Sequence, residues 1–401
     1  MSSSLANWKK ILLSVLLCYS PVTVVQLFTY YVDWALYYII LSLVIVVYDA
    51  VHTQNKQRTR LDYVLVGVLM ALAASIKITV MFRSTLFLVV LLLFWRIIGH
   101  VESWRPCLRA SVLGGLFGFF VLAFNPYVRN VLGGRFLFHP FLGEEAVNVD
   151  MVKALDLEGC GRIESVVMSL SSCPTSNQTY KDPLDLSIDS AIQSGKADVR
   201  MGGFGLFFVE IFLLGILLFA CSFKRTSEWV LCSAGLILLF VFLLLLPNGW
   251  WARFNPYFYF APLICLFYAL RRGGKIVDKM SRVMVVLMLM NVCVVQASAL
   301  GLMLMHRSKV HYLVDVLKAT PLSVRMSCNN WALENKLNEQ HIQTIPCDTL
   351  TKVLVFPGSP VFIDPTEWRE DLVDKNDYFL LKYSNIKNSI VEEWTRVGLI
   401  K

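Results

Sequence analysis

Residues 271–304 read RRGGKIVDKMSRVMVVLMLMNVCVVQASALGLML. Five basic residues, Arg271, Arg272, Lys275, Lys279 and Arg282, precede the uncharged run 283–304. A helix rising 1.5 Å per residue crosses about 30 Å of hydrocarbon in about 20 residues, and such a run is read as a membrane span. Eight further apolar stretches, near 11–27, 34–51, 62–81, 85–99, 109–125, 204–221, 228–247 and 252–270, have the same character. The expected fold class is an α-helical polytopic membrane protein with about nine transmembrane helices.

The basic residues orient these spans. Lys9-Lys10, then Lys56, Arg58 and Arg60, then Arg96, Arg105 and Arg109, then Lys224-Arg225, and finally the 271–282 cluster follow every second helix. That alternation is the one the positive-inside rule requires. The N-terminus and these loops are expected in the cytoplasm. The connections at 28–33, 82–84, 126–203 and 248–251 and the tail 305–401 are expected outside. The N-terminal apolar run lacks a small-x-small cleavage site and leads straight into the second helix, so it reads as a retained span.

Composition agrees: 56% of residues are hydrophobic, 16% are charged and the mean hydropathy is +0.58, values foreign to a soluble globular domain. The net charge of +8 sits largely in the membrane-flanking loops, where it serves orientation and contact with the lipid bilayer. No basic stripe with interleaved aromatics lies elsewhere, so nucleic acid is not an expected partner.

Four regions follow from this reading: a first helix group, 1–125; an outer segment, 126–203; a second helix group, 204–304; and an outer tail, 305–401. The outer segment is longer than a simple connection, with turn signals at Gly133-Gly134, Pro140, Gly159-Cys160-Gly161 and Pro174, and a weakly amphipathic stretch at 183–194 that suits a membrane surface. In the tail, strand-like runs at Lys352–Phe356 and Pro360–Ile363, with helical patterns at 308–318 and 387–397, predict a small mixed α/β lobe. Its plainest role is a lid or stabilising cap. Of ten cysteines only Cys160, Cys173, Cys328 and Cys347 fall in outer regions. In an oxidising compartment the simplest pairing is Cys160–Cys173 and Cys328–Cys347, one of three connectivities. Their spacing and the scarcity of nearby histidine argue against zinc, and no metal site is expected.

The residues able to do chemistry gather at the outer ends of the helices. Gln26, Tyr30 and Asp33 lie at the first outer turn, where a carboxylate is expensive unless paired or used. Lys77 sits near the outer end of its helix and Arg83 follows at the end itself; both can anchor the helix by snorkelling or hold a phosphate at the interface. Asn125 and Tyr127 flank the helix-ending Pro126, followed by His139, Glu144 and Glu145. A lone histidine beside a proline is more often packed than catalytic. Trp250 and Trp251 suit an aromatic belt, but Arg253, at the head of an apolar helix, is a fixed guanidinium able to grip phosphate with aromatic faces beside it.

Together, Ser20-Pro21-Val22 with Gln26 and Tyr31-Val32-Asp33, Ser75-Ile76-Lys77, Asn125-Pro126-Tyr127 with Asn130 and Phe138-His139-Pro140, and Trp250-Trp251-Ala252-Arg253-Phe254 resemble the polytopic glycosyltransferases of the GT-C type. The similarity spans about residues 10–270. It implies a polyprenyl-phosphate sugar donor, a glycan or lipid-linked acceptor, action on the outer face of a membrane, and a bacterial inner-membrane setting. The resemblance also implies a catalytic carboxylate in a first external loop longer than the one here, which offers only Asp33. Either the chain starts two helices late, or Asp33, Glu144 or Glu145 is the base. Lys77 and Arg253 would stabilise the leaving phosphate. No cofactor is required; a divalent metal on the phosphate is compatible with the class, though no carboxylate cluster demands one. The competing functions are a transporter or flippase of an amphiphile, against which no inverted repeat is seen, and a noncatalytic membrane scaffold.

Overall fold

The apolar stretches become helices broken at polar or proline-bearing turns, and the computed structural model is mostly helical. It describes residues 6–27, 33–52, 56–97, 104–124, 130–134, 155–175, 179–246 and 248–319, and in the tail 324–327, 339, 341, 344–347, 354–355 and 362–365. Two units are distinguished, Met1–Leu300 and Gly301–Lys401. Tyr30, Asn125, Tyr127, His139, Glu144, Glu145, Cys328 and the 387–397 pattern lie outside the described residues.

In the first unit, the apolar stretch 11–27 divides into α1 (Asn7–Cys18) and α2 (Pro21–Gln26). Pro21 is tolerated in the first turn of α2, where its missing N–H would have had no helical partner. The carbonyls freed at the end of α1 are taken up by the next helix, α3 (Trp34–His52): the Tyr37 hydroxyl donates to the Leu17 carbonyl at 2.5 Å and Tyr38 to that of Cys18 at 2.8 Å.

Next come α4 (Lys56–Ile76) and α5 (Ile78–Ile97), separated only by Lys77. The break therefore falls before the expected 82–84 turn, and Arg83 lies inside α5 rather than in a connection. The Lys77 carbonyl accepts the Val80 and Met81 amides at 3.0 and 3.1 Å, which starts α5. Next, α6 (Trp104–Phe117) widens into a π turn at Gly118–Leu122. Helix α4 packs against α3, α5 and α6.

In the outer segment, α7 (Arg162–Ser171) and α8 (Ile188–Ser194) are short. Helices α9 (Phe208–Cys221) and α10 (Ser227–Leu245) follow, the latter capped by the Thr226 hydroxyl accepting the Trp229 amide. Two 3-10 turns, Ala252–Phe254 and Pro256–Tyr259, lead into α11 (Phe260–Arg272), and α12 runs Lys275–Ala319. Arg271 and Arg272 pair with Glu228 at 2.8 and 3.3 Å, joining the end of α11 to the start of α10. One apolar core, with Tyr37, Phe242, Tyr257, Phe258 and Tyr259 wholly buried, unites these helices.

Among the described residues, four stretches are long and apolar enough to cross a bilayer: Ile78–Arg96, Trp104–Leu122, Ser227–Leu245 and Lys275–Met305. Trp34–Ala50 and Phe208–Cys221 are shorter apolar helices. This fits a multi-pass helical membrane protein.

In the second unit, β1 (Val324–Ser327), β2 (Thr344–Cys347), β3 (Leu354–Val355) and β4 (Phe362–Pro365) form a sheet ordered β2-β1-β4-β3. β1 runs parallel to β2, with Val324 opposite Thr344, and antiparallel to β4, with Val324 opposite Pro365.

The expected Cys160–Cys173 bridge is not formed, and neither thiol is within disulfide distance of another described cysteine. The ten-residue helix α7 stands between them, about 15 Å of rise at 1.5 Å per residue, against the roughly 7 Å between Cα atoms that a disulfide tolerates. Cys160 donates to the Asp156 carbonyl at 3.5 Å and Cys173 to that of Pro183 at 3.3 Å. Burial pushes the Cys173 thiol up to about 11, so it stays protonated. For the second expected pair, only the backbone of Cys347 is described, ending β2 opposite Ser327.

Candidate functional site

Four interruptions in helical structure meet at one place. Asp33 immediately precedes α3, with its carbonyl accepting the Leu36 amide at 3.1 Å. Lys77 is the break between α4 and α5, Arg253 lies in the 3-10 turn before α11, and Asp198 and Arg200 lie in the turn between α8 and α9. Charged side chains belong at such breaks because exposed backbone groups and neighbouring chain ends supply partners that a helix interior in lipid lacks.

The side chains form a linear relay of alternating charge. Lys77 Nζ donates to Asp33 Oδ1 at 2.8 Å, and Arg253 Nε donates to Asp33 Oδ2 at 2.8 Å. Arg253 Nη1 then reaches Asp198 Oδ1 at 3.2 Å, while Asp198 Oδ2 accepts from Arg200 Nη2 at 3.3 Å. Asp33 is 2% exposed. Both of its oxygens are engaged by cations, which explains how a carboxylate is tolerated there.

Aromatic rings run beneath the cations. The Phe254 ring has Lys77 Nζ, the Arg83 guanidinium and the Arg253 guanidinium at 5.6, 5.1 and 5.2 Å from its centroid. Trp251 carries Arg200 at 4.2 Å and Arg253 at 5.6 Å, and stacks on Trp250 with centroids 5.3 Å apart. These distances lie within cation–π range. The Trp251 indole N–H is buried and has no hydrogen-bond partner among the described residues.

The loop that holds this arrangement is fixed from within. Arg83, 7% exposed, donates to the Phe254 carbonyl and to Asn255 Oδ1. Asn255 Nδ2 donates to the carbonyls of Asn248 and Trp251 at 2.6 and 3.1 Å, and the Tyr257 hydroxyl donates to Asn255 Oδ1 at 2.6 Å. Nearby, a Cβ on Gly203 would stand 2.8 Å from that of Ala252, so glycine is needed there. Gly205, at φ +99°, faces the Asn291 amide, which accepts the Phe207 N–H and donates to the Phe204 carbonyl.

A small cleft, roomy enough for about a water molecule, is lined by Val22, Val25, Lys196, Val199, Gly203 and Arg253. Burial pulls the Lys196 ammonium below its ordinary value, and Asp189 opposes that shift. Gln26 is buried in the last turn of α2. Among the described residues no three His, Cys, Asp or Glu side chains come together to hold a metal ion.

Of the residues expected from sequence, Asp33, Lys77, Arg83, Trp251 and Arg253 converge, and Trp250 stacks beside them. Asp198, Arg200 and Asn255 belong to the same assembly and were not expected. Asn255 had a signal, an Asn-Pro pair at the head of an apolar helix. Asp198 and Arg200 had none, because they are two charges in a long polar segment. Comparison of the chain with protein-family models, curated proteins and solved structures gave no match.

Proposed function

We propose that the chain is a membrane glycosyltransferase that moves a sugar from a polyprenyl-phosphate donor to a cell-surface glycan or lipid-linked acceptor. In this reading it has about nine spans, a cytoplasmic N-terminus, and an α/β tail on the outer face. The observation that carries the proposal is the charge of the assembly. Four cations, Lys77, Arg83, Arg200 and Arg253, converge on two carboxylates, Asp33 and Asp198. Like charges gathered at low dielectric call for an anion, and a lipid phosphate supplies one.

The reaction assigned to the site needs few parts. The donor phosphate competes with Asp33 for Lys77 and Arg253, and so releases the carboxylate. Asp33 takes the proton from the acceptor hydroxyl, the acceptor oxygen bonds to the anomeric carbon, and the bond from that carbon to the phosphate oxygen breaks with its electron pair leaving on the phosphate. Arg253, Lys77 and Arg200 stabilise that leaving charge. Trp250 and Trp251, buried and stacked on one another, position Arg200 and Arg253 for the phosphate. Glu144 and Glu145 are the alternative bases.

The saturation of Asp33 favours a second reading, in which the relay is only a clasp and the chain a noncatalytic scaffold. Membranes carrying the chain, incubated with radiolabelled polyprenyl-phosphate sugars and a lipid-linked glycan acceptor, separate the two. Transfer is expected from the unaltered chain, with a loss of about 10²–10⁴-fold for Asp33→Asn. Full activity in Arg253→Ala would remove the phosphate assignment. Absence of transfer by the folded, unaltered chain would favour the scaffold.

A further inference from the structure

The two short helices of the outer segment each turn an apolar pair away from the protein. In α7, Val166 joins the core beside the buried Ser165 (1% exposed) and Ser169, whereas Ile163 (66% exposed) and Val167 face away. In α8, Ser190, Gln193 and Ser194 are buried, whereas Ile188 (81% exposed) and Ile192 face away. Each exposed pair is spaced i, i+4 and so forms one stripe. Leu184 and Leu186 are also exposed just before α8. Helices in water turn their apolar stripe to the core. In α8 the arrangement is the reverse, and α7 adds a second outward apolar pair beyond the Val166 side that it buries.

The neighbours of these helices identify what covers the apolar stripes. α7 packs against α9 and α10, the second of which is a candidate span. Gly195, directly after α8, lies so close to α12 that an added Cβ would meet the Ala299 amide nitrogen at 2.4 Å and the Ser298 Cβ at 2.6 Å. Ser298 lies seven residues, about 10 Å of helix, before Met305, where the apolar stretch Lys275–Met305 ends. Ala197 packs with Val295 and Ala299 of the same stretch. The segment therefore lies against the last turns of an apolar stretch long enough to span the bilayer.

We propose that residues 157–175 and 179–195 are not a water-exposed loop but a membrane-interfacial element, with the stripes of α7 and α8 and the Leu184–Leu186 turn inserted into one leaflet of the bilayer. The exposed charges Glu158, Arg162, Glu164, Asp182 and Asp189 set its depth at the level of the lipid headgroups, with apolar side chains reaching about 5–10 Å to the acyl boundary. This role is independent of the chemistry assigned to the cation relay.

Photocrosslinking tests it. A benzophenone-bearing residue is placed at Ile163 or Ile188 of the full chain, reconstituted in phosphatidylethanolamine–phosphatidylglycerol vesicles, with Leu213 on the exposed face of α9 as the lipid-facing control. Both test positions are exposed, so the probe leaves the packing in place, and size-exclusion chromatography verifies the folded protein. Phospholipid adducts at Ile163 and Ile188 comparable to those at Leu213 are expected. Adducts to a second copy of the chain, or no adduct while Leu213 labels lipid, would overturn the proposal.

Discussion

Asp33 illustrates how a single buried charge constrains the surrounding residues. Pairing with Lys77 and Arg253 compensates its desolvation without making the trio a large net source of stability, but removing one member strands the others. Asp33→Asn is expected to destabilise the protein by about 3–5 kcal/mol, and the double variant Asp33→Asn with Lys77→Met by less. Thermal unfolding in detergent checks this; equal losses in both would mean that Lys77 is not held by Asp33. In the outer segment, Lys181 binds Asp189 at 2.5 Å and lies 3.8 Å from Asp185. Lys181 lowers the Asp189 carboxyl below its ordinary value, and the Ser187 and Ser190 hydrogen bonds lower that of Asp185. Groups depressed in the folded state stabilise above their unfolded pKa, about 3.9, and lose that contribution as pH falls through the folded values. Amide exchange in 185–194, corrected for intrinsic rate, is therefore expected to rise below about pH 4. In Lys181→Met the rise should begin at higher pH; an unchanged profile would dissociate Lys181 from the segment's stability.

At the scale of elements, the contact between α4 and α6 depends on absent side chains. A Cβ on Gly114 would stand 2.0 Å from the Gly67 carbonyl oxygen, and one on Gly118 2.4 Å from that of Ala71. Such close approach drives helix association in membranes, where lipid is as apolar as leucine. Gly114→Leu should separate the pair and lower stability by about 1–3 kcal/mol or more, whereas Gly115→Leu, with open space around its Cβ, should be nearly silent. Equal Tm losses would contradict the packing. The helices themselves were legible in hydropathy, since each apolar run is a local signal. The breaks were less so: Lys77 was readable as a polar residue near a helix end, but the sequence favoured a turn five residues later, and Pro256 hid two 3-10 turns inside an apparently continuous span. The Asp33–Arg253 contact joins residues 220 apart in sequence, and no local pattern encodes such a pairing.

At the scale of the whole molecule, the basic loops orient the chain in the proposed arrangement, so an alkaline phosphatase fusion after residue 320 should be active and one after residue 273 inactive in a bacterial host. The opposite pattern would invert the proposed topology. The central claim is that the cation cluster around Phe254 receives a lipid phosphate. The direct measurement is the Tm of the purified chain with and without a polyprenyl monophosphate, beside Arg253→Ala. Saturation at about 100 times Kd corresponds to about 2.7 kcal/mol of stabilisation. A rise in Tm for the unaltered chain that Arg253→Ala abolishes is the expected result; no rise, or the same rise in both, would contradict the account.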